Sequence, residues 1–224
     1  MLYFLPTPIG NLEDITLRTL NLFKILNIFF AEDTRTFKSL LHAYQIPLAD
    51  KKIYSYHSFS SPSSAQRVVE LAKTQDIGIV SEAGTPWLSD PGKQLIKYAH
   101  QKQVKFSVLP GANALIPAVV GACFDTHQFI FGGFFPAKKW VKKQIKQVLN
   151  SVLPVFFYES VHRIAKHLEM FLKEGFDRKV LIAREISKKY EQIECQTLDQ
   201  IVAKIQNQLI PLKWEFVVWF EGKT

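Results

Sequence analysis

Three short loops rich in glycine and proline contain the residue types best suited to holding a ligand. They are the segments 6–11 (PTPIGN), 81–92 (SEAGTPWLSDPG) and 110–114 (PGANA). Small residues let the backbone approach a ligand closely, and prolines keep a loop in one shape without an ordering cost on binding. Each loop follows a predicted strand, and ligands of open parallel sheets bind beyond the carboxyl ends of the strands. We therefore expect the three loops to line one cleft.

The loops do not match the common nucleotide sites. The first has a single glycine instead of G-x-G-x-x-G, and its prolines remove N–H groups that would bind a pyrophosphate. Glu32 follows Gly10 by about 20 residues and is the one feature shared with a dinucleotide site. The chain has no P-loop, HExxH motif or Gly-x-Ser-x-Gly elbow. Its histidines, including His57, His162 and His167, lack ligand spacing, so we predict no metal site.

The pattern of apolar residues predicts the elements that position these loops. In the first half of the chain, short β-branched and aromatic runs alternate with segments of helical period, which is typical of a parallel sheet with crossover helices. Strands are predicted at 2–5, 28–31, 52–56, 77–81 and 105–109, and helices at 17–26, 36–44, 65–73 and 93–100. A further helix is expected at 113–122, with Asn113 as its N-cap.

The second half has a different pattern. Strands are predicted at 128–131, 155–158, 180–184, 192–197 and 215–220, and helices at 138–150, 164–173 and 198–206. The two consecutive strands on either side of Tyr190 break the alternation and indicate a mixed sheet. The predicted fold class is therefore α/β, with an N-terminal domain at 1–112 built on a parallel sheet and a C-terminal domain at 113–224 built on a mixed sheet.

Composition predicts an ordinary globular protein, since 47% of the residues are hydrophobic and 21% are charged. The apolar segment 1–5 is too short for a signal peptide and lacks a basic leader, and no run approaches the roughly 18 apolar residues of a membrane span. Cys123 and Cys195 have neither CxxC nor metal-site spacing. We expect both to be buried thiols in a reducing compartment, and hence a cytoplasmic protein with no membrane partner.

The net charge of +8 is concentrated in one place. Lys138, Lys139, Lys142, Lys143 and Lys146 fall within nine residues, and no acid follows them until Glu159. On a helix, positions 138, 142 and 146 would share a face, as would 139 and 143. Such a face attracts phosphate backbones, but a solvated lysine-rich helix has the same pattern. The residues alone leave both interpretations open.

Six motifs resemble the signature series of a known family. They are PTPIGNLEDIT (6–16), AEDTRT (31–36), SEAGTPWLSDPG (81–92), LPGANAL (109–115), YESVHRI (158–164) and AREISK (183–188). In this order and spacing they resemble the ribosomal RNA small-subunit methyltransferase I family of the tetrapyrrole-methylase superfamily. That family uses S-adenosylmethionine to methylate the ribose 2′-oxygen of a decoding-site cytidine in 16S rRNA. The chain departs from the pattern at Glu82, Asn113, Val161 and Trp214, where the family has Asp, Ser, Pro and Gly.

The resemblance implies a class III methyltransferase in which the cofactor lies in a cleft between two α/β domains, and it suggests a homodimer. From the first half of the motif series it implies cofactor contacts by Pro8, Ile9, Gly10, Gly84, Thr85, Pro86, Leu88, Asn113 and Ala114. From the second half it implies that Tyr158, Glu159, Trp214, Glu215 and Phe216 close round the adenosine. The implied partner is 16S rRNA or the small ribosomal subunit, bound through the five lysines and Arg163.

Methylation of a ribose hydroxyl needs a base, or a group that stabilises the developing alkoxide, because the hydroxyl is weakly acidic. Two polar clusters at predicted strand ends supply candidates. The catalytic candidates are Asp33 and Arg35 in one cluster, and Glu159, Arg184 and Glu185 in the other, which also contains Lys188. The same residues could instead form a salt-bridge network, and the sequence does not identify the base.

Two other functions remain open at this stage. One keeps the cofactor and has a small-molecule acceptor such as a tetrapyrrole. The other is a non-catalytic RNA-binding or ribosome-assembly factor, suggested by the substitutions at Asn113 and Trp214. The net charge and the lysine segment favour RNA over the small molecule.

Overall fold

A computed structural model describes residues 1–56, 61–86 and 93–223. The chain divides into two compact units, Met1–Asn113 and Ala114–Thr224. Among the helices of the described ranges, none is both long and apolar enough to cross a membrane.

The first unit contains one parallel sheet. Its strands are β1 (Leu2–Phe4), β2 (Ile28–Ala31), β3 (Lys52–Ser55), β4 (Ile77–Val80) and β5 (Phe106–Val108), in the spatial order β3-β2-β4-β1-β5. Every residue of the central strand β4 is buried, as expected for a strand covered on both faces. The crossover helices are α1 (Leu17–Ile25), α2 (Thr34–Ala43), α3 (Pro62–Leu71) and α4 (Lys93–Gln101). A 3₁₀ turn, Leu12–Asp14, precedes α1.

The helices of this unit begin where the sequence offers capping residues. The side chain of Thr16 accepts the Thr19 N–H at the start of α1, and Ser61 accepts the Ser64 N–H before Pro62 at the start of α3. Two separate cores result, one containing Phe23, Phe37 and Leu41 and the other Ala65, Val68 and Leu95. The sheet therefore lies between two helical layers, and its strands end together at one edge.

The second unit contains a mixed sheet. Its strands are β6 (Ile130–Phe134), β7 (Val155–Glu159), β8 (Lys179–Arg184), β9 (Gln192–Thr197) and β10 (Phe216–Phe220), in the order β6-β7-β10-β8-β9. Strand β6 runs parallel to β7, whereas β10 is antiparallel to both of its neighbours and β8 and β9 form an antiparallel pair. The helices are α5 (Leu115–Val120), α6 (Val141–Leu149), α7 (Ile164–Lys173) and α8 (Leu198–Gln206). Helices α6, α7 and α8 contribute to one core with β7, β8 and β10.

Two helices begin later than the sequence predicts. The N-cap of α5 is Ala114, which makes no side-chain cap bond; Asn113 instead donates its amide to the Gly111 carbonyl at 3.3 Å, so its expected capping role is wrong. Helix α6 begins at Val141, because its buried face starts there with Val141, Ile145 and Val148. Lys138 and Lys139 lie in the bend and turn that precede the helix. This corrects the expectation that they share helical faces with Lys142, Lys146 and Lys143.

The two cysteines form a disulfide, contrary to the expectation of buried thiols. Cys123 follows α5 and Cys195 lies on β9, and the pair closes a loop of 72 residues. Cys123 is exposed and Cys195 is half-buried, so neither acts as a small buried hydrophobe. The spacing gave no sign of the bond because the contact depends on how β9 and the segment after α5 pack.

Reduction of this bond is expected to lower the free energy of unfolding by about 2–4 kcal/mol, because the bond restricts the unfolded chain. Urea unfolding with and without dithiothreitol measures the difference. The double variant Cys123→Ser, Cys195→Ser should match the reduced protein and ignore the reductant. Identical unfolding curves in the two redox states would show that the pair adds no stability.

Candidate active site

The described residues of the three glycine- and proline-rich loops lie side by side, as predicted from their positions after β1, β4 and β5; of the second loop these are residues 81–86. Thr7 and Gly84 exchange two backbone hydrogen bonds of 3.0 Å, which join the first loop to the second. The Thr85 hydroxyl donates to the Ala112 carbonyl at 3.3 Å and joins the second loop to the third. These bonds fix the loops as one group beyond the carboxyl edge of the sheet.

Glycine is required at two places in this group. A Cβ on Gly111 would lie 2.4 Å from the Cβ of Pro6, so any side chain there would push the first and third loops apart. Gly84 has a φ of 75°, in the left-handed region that side chains disfavour. The loops therefore approach each other through bare backbone, as a site that holds a ligand by main-chain contacts needs.

One buried polar atom in this group lacks a partner. Thr7 is 3% exposed, and its Oγ1 makes no hydrogen bond within the described part of the chain. The neighbouring Ser81 hydroxyl, by contrast, donates to the Gly84 carbonyl at 3.2 Å. An unsatisfied buried hydroxyl costs about 1–3 kcal/mol, so Thr7 is suited to bonding a bound molecule. Thr7 and Gly111 were not among the predicted contact residues, although both lie beside prolines in the predicted loops.

The predicted contacts of the first unit have different exposures. Pro8, Ile9, Thr85 and Asn113 are half-buried, Gly10 is exposed, and Gly84 and Pro86 are buried. Leu88 lies outside the described residues. The structure thus brings the predicted loop residues into one region, while their contacts with a cofactor remain predictions.

Asp33 begins α2 at the carboxyl end of β2. Its carboxylate accepts the backbone N–H groups of Arg35 at 2.7 Å and Thr36 at 3.2 Å, and these bonds, together with the Arg35 side chain, lower the pKa of Asp33. The Arg35 side chain is 91% exposed and lies 3.4 Å from Asp33. A carboxylate stabilised in this way is a weak base, so its geometry favours capping and electrostatics over proton abstraction.

The second unit also gathers its predicted residues at one sheet edge. In the register of the sheet, Phe216 at the start of β10 is opposite both Glu159 at the end of β7 and Arg184 at the end of β8. Backbone strain is concentrated at this edge, because Glu185, Ser187 and Trp214 have φ values of 53°, 68° and 68°. Non-glycine residues rarely adopt this conformation, and such strain is often found at functional sites. Trp214 stands where the resemblance implies glycine, the residue that adopts this backbone conformation without steric cost.

Glu159 is 3% exposed and fully engaged. Its Oε1 accepts the Ser160 N–H at 2.6 Å and the Arg163 Nε–H at 3.1 Å. The same oxygen lies 3.1 Å from Arg163 Nη2 in an ion pair, and Oε2 contacts His167 Nδ1. These partners all lie at the start of α7 or just before it, so Glu159 ties that helix to β7. The geometry supports a positioning role for Glu159. Arg163, which was predicted to contact RNA, is instead paired with the Glu159 carboxylate.

Arg184 and Glu185 are adjacent in the chain, but their side chains have different kinds of partner. Arg184 is 7% exposed and donates only to neutral acceptors, the Tyr190 carbonyl at 3.3 Å and Gln192 Oε1 at 3.4 Å. Its Nε has no partner within the described residues. Glu185 instead pairs with Lys188 Nζ at 3.0 Å, and the same ammonium lies 4.8 Å from the centre of the Trp214 ring. Arg184 is thus a buried cation without a carboxylate partner in the described ranges.

The remaining predicted residues of this edge have separate environments. Tyr158 is half-buried, and burial, followed by the nearby Glu215 carboxylate, raises its pKa to about 12. Its phenol therefore stays protonated and can donate a hydrogen bond. Trp214 is 62% exposed, whereas Phe216 is 1% exposed and belongs to the core. Among the described residues, no three His, Cys, Asp or Glu side chains are grouped to hold a metal ion.

The chain is similar in sequence to proteins of one named group along its whole length. The ribosomal RNA small subunit methyltransferase I of Helicobacter pylori strain 26695 is 35% identical, over 100% of this chain and 84% of the relative. The protein of the same name from Bacillus subtilis is 34% identical, over 100% of this chain and 76% of the relative. That of Hydrogenobaculum is 37% identical, over 92% and 90%.

Solved structures share the fold at much lower identity. A diphthine synthase superposes with a TM-score of 0.74 at 12% identity, covering 100% of this chain and 90% of the other. The methyltransferase CobJ gives a TM-score of 0.67 at 15% identity, covering 97% and 92%. The family model of the tetrapyrrole (corrin/porphyrin) methylases matches residues 1–202. The chain therefore belongs to the tetrapyrrole methylase family of S-adenosylmethionine-dependent methyltransferases, and within it to the ribosomal RNA small subunit methyltransferase I family.

Proposed function

We propose that this protein methylates the ribose 2′-oxygen of a decoding-site cytidine in 16S rRNA, using S-adenosylmethionine. The proposed acceptor is the RNA within the small ribosomal subunit, and we propose that the protein acts as a homodimer. The proposed cytoplasmic location follows from that acceptor alone, since the disulfide removes the argument from free thiols. One observation carries the assignment: relatives named for small-subunit rRNA methylation are 34–37% identical over nearly the entire chain.

The first unit has features that fit the cofactor. Three loops meet through their backbones at Gly84 and Gly111, where side chains would block a close approach. The buried Thr7 hydroxyl makes no hydrogen bond with the described residues and could bond the cofactor. Pro8, Ile9, Gly10, Thr85, Pro86 and Asn113 would complete the binding surface. When bound, S-adenosylmethionine supplies an electrophilic methyl group on a sulfonium.

The residues of this chain would have to position the acceptor hydroxyl and manage its proton. Asp33 is not arranged as a strong base, because two backbone N–H groups lower its pKa. The carboxylate of Glu159 is already bound by Ser160, Arg163 and His167, and that of Glu185 is paired with Lys188. We propose that Arg184 instead stabilises negative charge that develops on the acceptor oxygen, because it is a buried cation whose Nε–H has no acceptor among the described residues.

Deletion of the gene is expected to remove one 2′-O-methyl group from a decoding-site cytidine of 16S rRNA, because this protein is the proposed source of that group. Mass spectrometry of nuclease fragments measures the modification directly. Expression of the unchanged protein in the deletion strain should restore the methyl group.

Two outcomes would overturn this assignment. Persistence of the methyl group after deletion, with no methylation of purified small subunits in vitro, would shift the acceptor to a small molecule if S-adenosylmethionine still binds. Absence of both methylation and cofactor binding would favour a non-catalytic RNA-binding factor.

A further inference from the structure

A basic and aromatic surface lies at the start of α6. We call it the α6 patch, and it consists of Trp140, Lys139, Lys142, Lys143 and Lys146. The Trp140 side chain is 56% exposed, and the ammonium groups of Lys139 and Lys143 lie 5.8 and 5.3 Å from the centre of its ring. A large aromatic ring is therefore presented to solvent between two cations.

An open, shallow groove runs along the exposed side of the helix. It is lined by Lys142, Lys143, Lys146, Gln147 and Asn150. The sequence contains no Asp or Glu between Asp125 and Glu159. None of the patch lysines forms a salt bridge with any residue of the described ranges. The positive charge of the groove is therefore not compensated within the unit.

Local structure does not explain these residue types. Trp140 occupies the N-cap of α6 and makes no side-chain cap bond, although Ser, Thr, Asp and Asn are the stabilising residues there. Lys142 and Lys143 lie in the first helical turn, where the helix dipole favours acids and disfavours cations. The apolar residues Val141, Ile145 and Val148 hold the helix on the core. Trp140, Lys142 and Lys143 are therefore residue types that destabilise this end of the helix, and helix stability does not account for them.

We propose that the α6 patch binds single-stranded RNA, with one unpaired base stacked on Trp140 and the following phosphates contacted by Lys142, Lys143 and Lys146. This inference rests on the proposed RNA acceptor and adds a base-stacking site to it. An exposed ring can stack on any base, because every base has a π-face, and lysines beside it neutralise the backbone. Duplex RNA hides its base faces, so the proposal requires an unpaired segment.

The first test measures binding of a labelled single-stranded RNA oligonucleotide by fluorescence anisotropy, without cofactor. Trp140→Ser is expected to weaken binding by about 5- to 150-fold, the range for losing one base stack. Its Tm should not fall, because Ser is a better N-cap than Trp. Trp140→Phe should retain part of the affinity. Tyr54→Ser, which removes another half-exposed ring, is the control and should bind as the unchanged protein does.

The second test separates the phosphate contacts from the stack. The triple variant Lys142→Gln, Lys143→Gln, Lys146→Gln is expected to flatten the dependence of log affinity on log salt by about 2, since each contact contributes about 0.7 for single strands. Trp140→Ser should leave that slope unchanged. The control Lys24→Gln, Lys38→Gln, Lys97→Gln removes the same charge from exposed positions of the first unit and should change neither slope nor affinity by a comparable amount.

Unchanged single-strand affinity in Trp140→Ser, or an equal loss with duplex RNA, would overturn the stacking site. The result is independent of the proposed reaction because no methyl transfer is measured. If Trp140-dependent binding holds while small subunits are not methylated, the proposed function fails and the RNA site stands. If methylation holds and Trp140→Ser binds normally, the site fails and the function stands.

Discussion

Thr85→Arg is expected to abolish the rise in Tm that S-adenosylmethionine and S-adenosylhomocysteine give the unchanged protein. A ligand that binds only the folded state stabilises it by mass action, by about 2.7 kcal/mol at 100 times its Kd. Thr85 joins two of the loops through its bond to the Ala112 carbonyl and is half-buried. An arginine there would fill the space beside Gly84, while the core of the unit lies elsewhere. Differential scanning calorimetry and isothermal titration measure both effects.

The matched control is Thr85→Ser, which keeps the hydroxyl that bonds Ala112 and should retain the rise in Tm. A full rise in the Arg variant would mean that the cofactor binds away from these loops. A Tm unaffected by millimolar cofactor in the unchanged protein would favour a scaffold that has lost catalysis.

The fold could be predicted best where an element depends only on residues close together in the sequence. The run Ile77-Gly78-Ile79-Val80 is apolar throughout and forms the buried central strand, because a parallel strand covered on both faces needs no polar positions. The same logic predicted that the loops after β1, β4 and β5 would meet at one edge. The lysine periodicity misled, since Lys138 and Lys139 continue a helical spacing but lie before the first buried residue, Val141.

Features that depend on distant pairing could not be predicted. Nothing in the spacing of Cys123 and Cys195 shows that β9 lies beside the segment after α5. Sequence alone also gives Glu159 and Arg184 equal standing as catalytic candidates. Only their surroundings separate them. The Glu159 carboxylate at the end of β7 is bonded by donors from the segment that leads into α7, whereas Arg184 has a buried N–H that finds no acceptor among the described residues.

Arg184→Gln is expected to lower kcat by about 10²–10³-fold, the usual effect of removing one donor that stabilises charge in the transition state. Folding should not suffer, because the change removes a buried cation that has no carboxylate partner in the described ranges, and uncompensated buried charge is destabilising. Methylation of small subunits at saturating cofactor measures kcat, and urea unfolding measures stability. Full activity in the variant would assign Arg184 to scaffolding.

Arg178→Gln provides the opposite case in the same unit. Arg178 donates to the carbonyls of Val148, Leu149 and Ser151 at 3.0–3.4 Å, where it caps the end of α6. Its loss removes three hydrogen bonds at the end of α6, although the Val148 and Ser151 carbonyls keep backbone donors. The free energy of unfolding should fall by about 1–3 kcal/mol, while kcat per folded molecule stays the same. If instead both variants lose stability and activity together, a general disturbance of the second sheet accounts for the result, and the catalytic assignment of Arg184 falls. Loss of kcat in Arg184→Gln together with loss of stability in Arg178→Gln would show that Arg184 contributes to catalysis and Arg178 to folding.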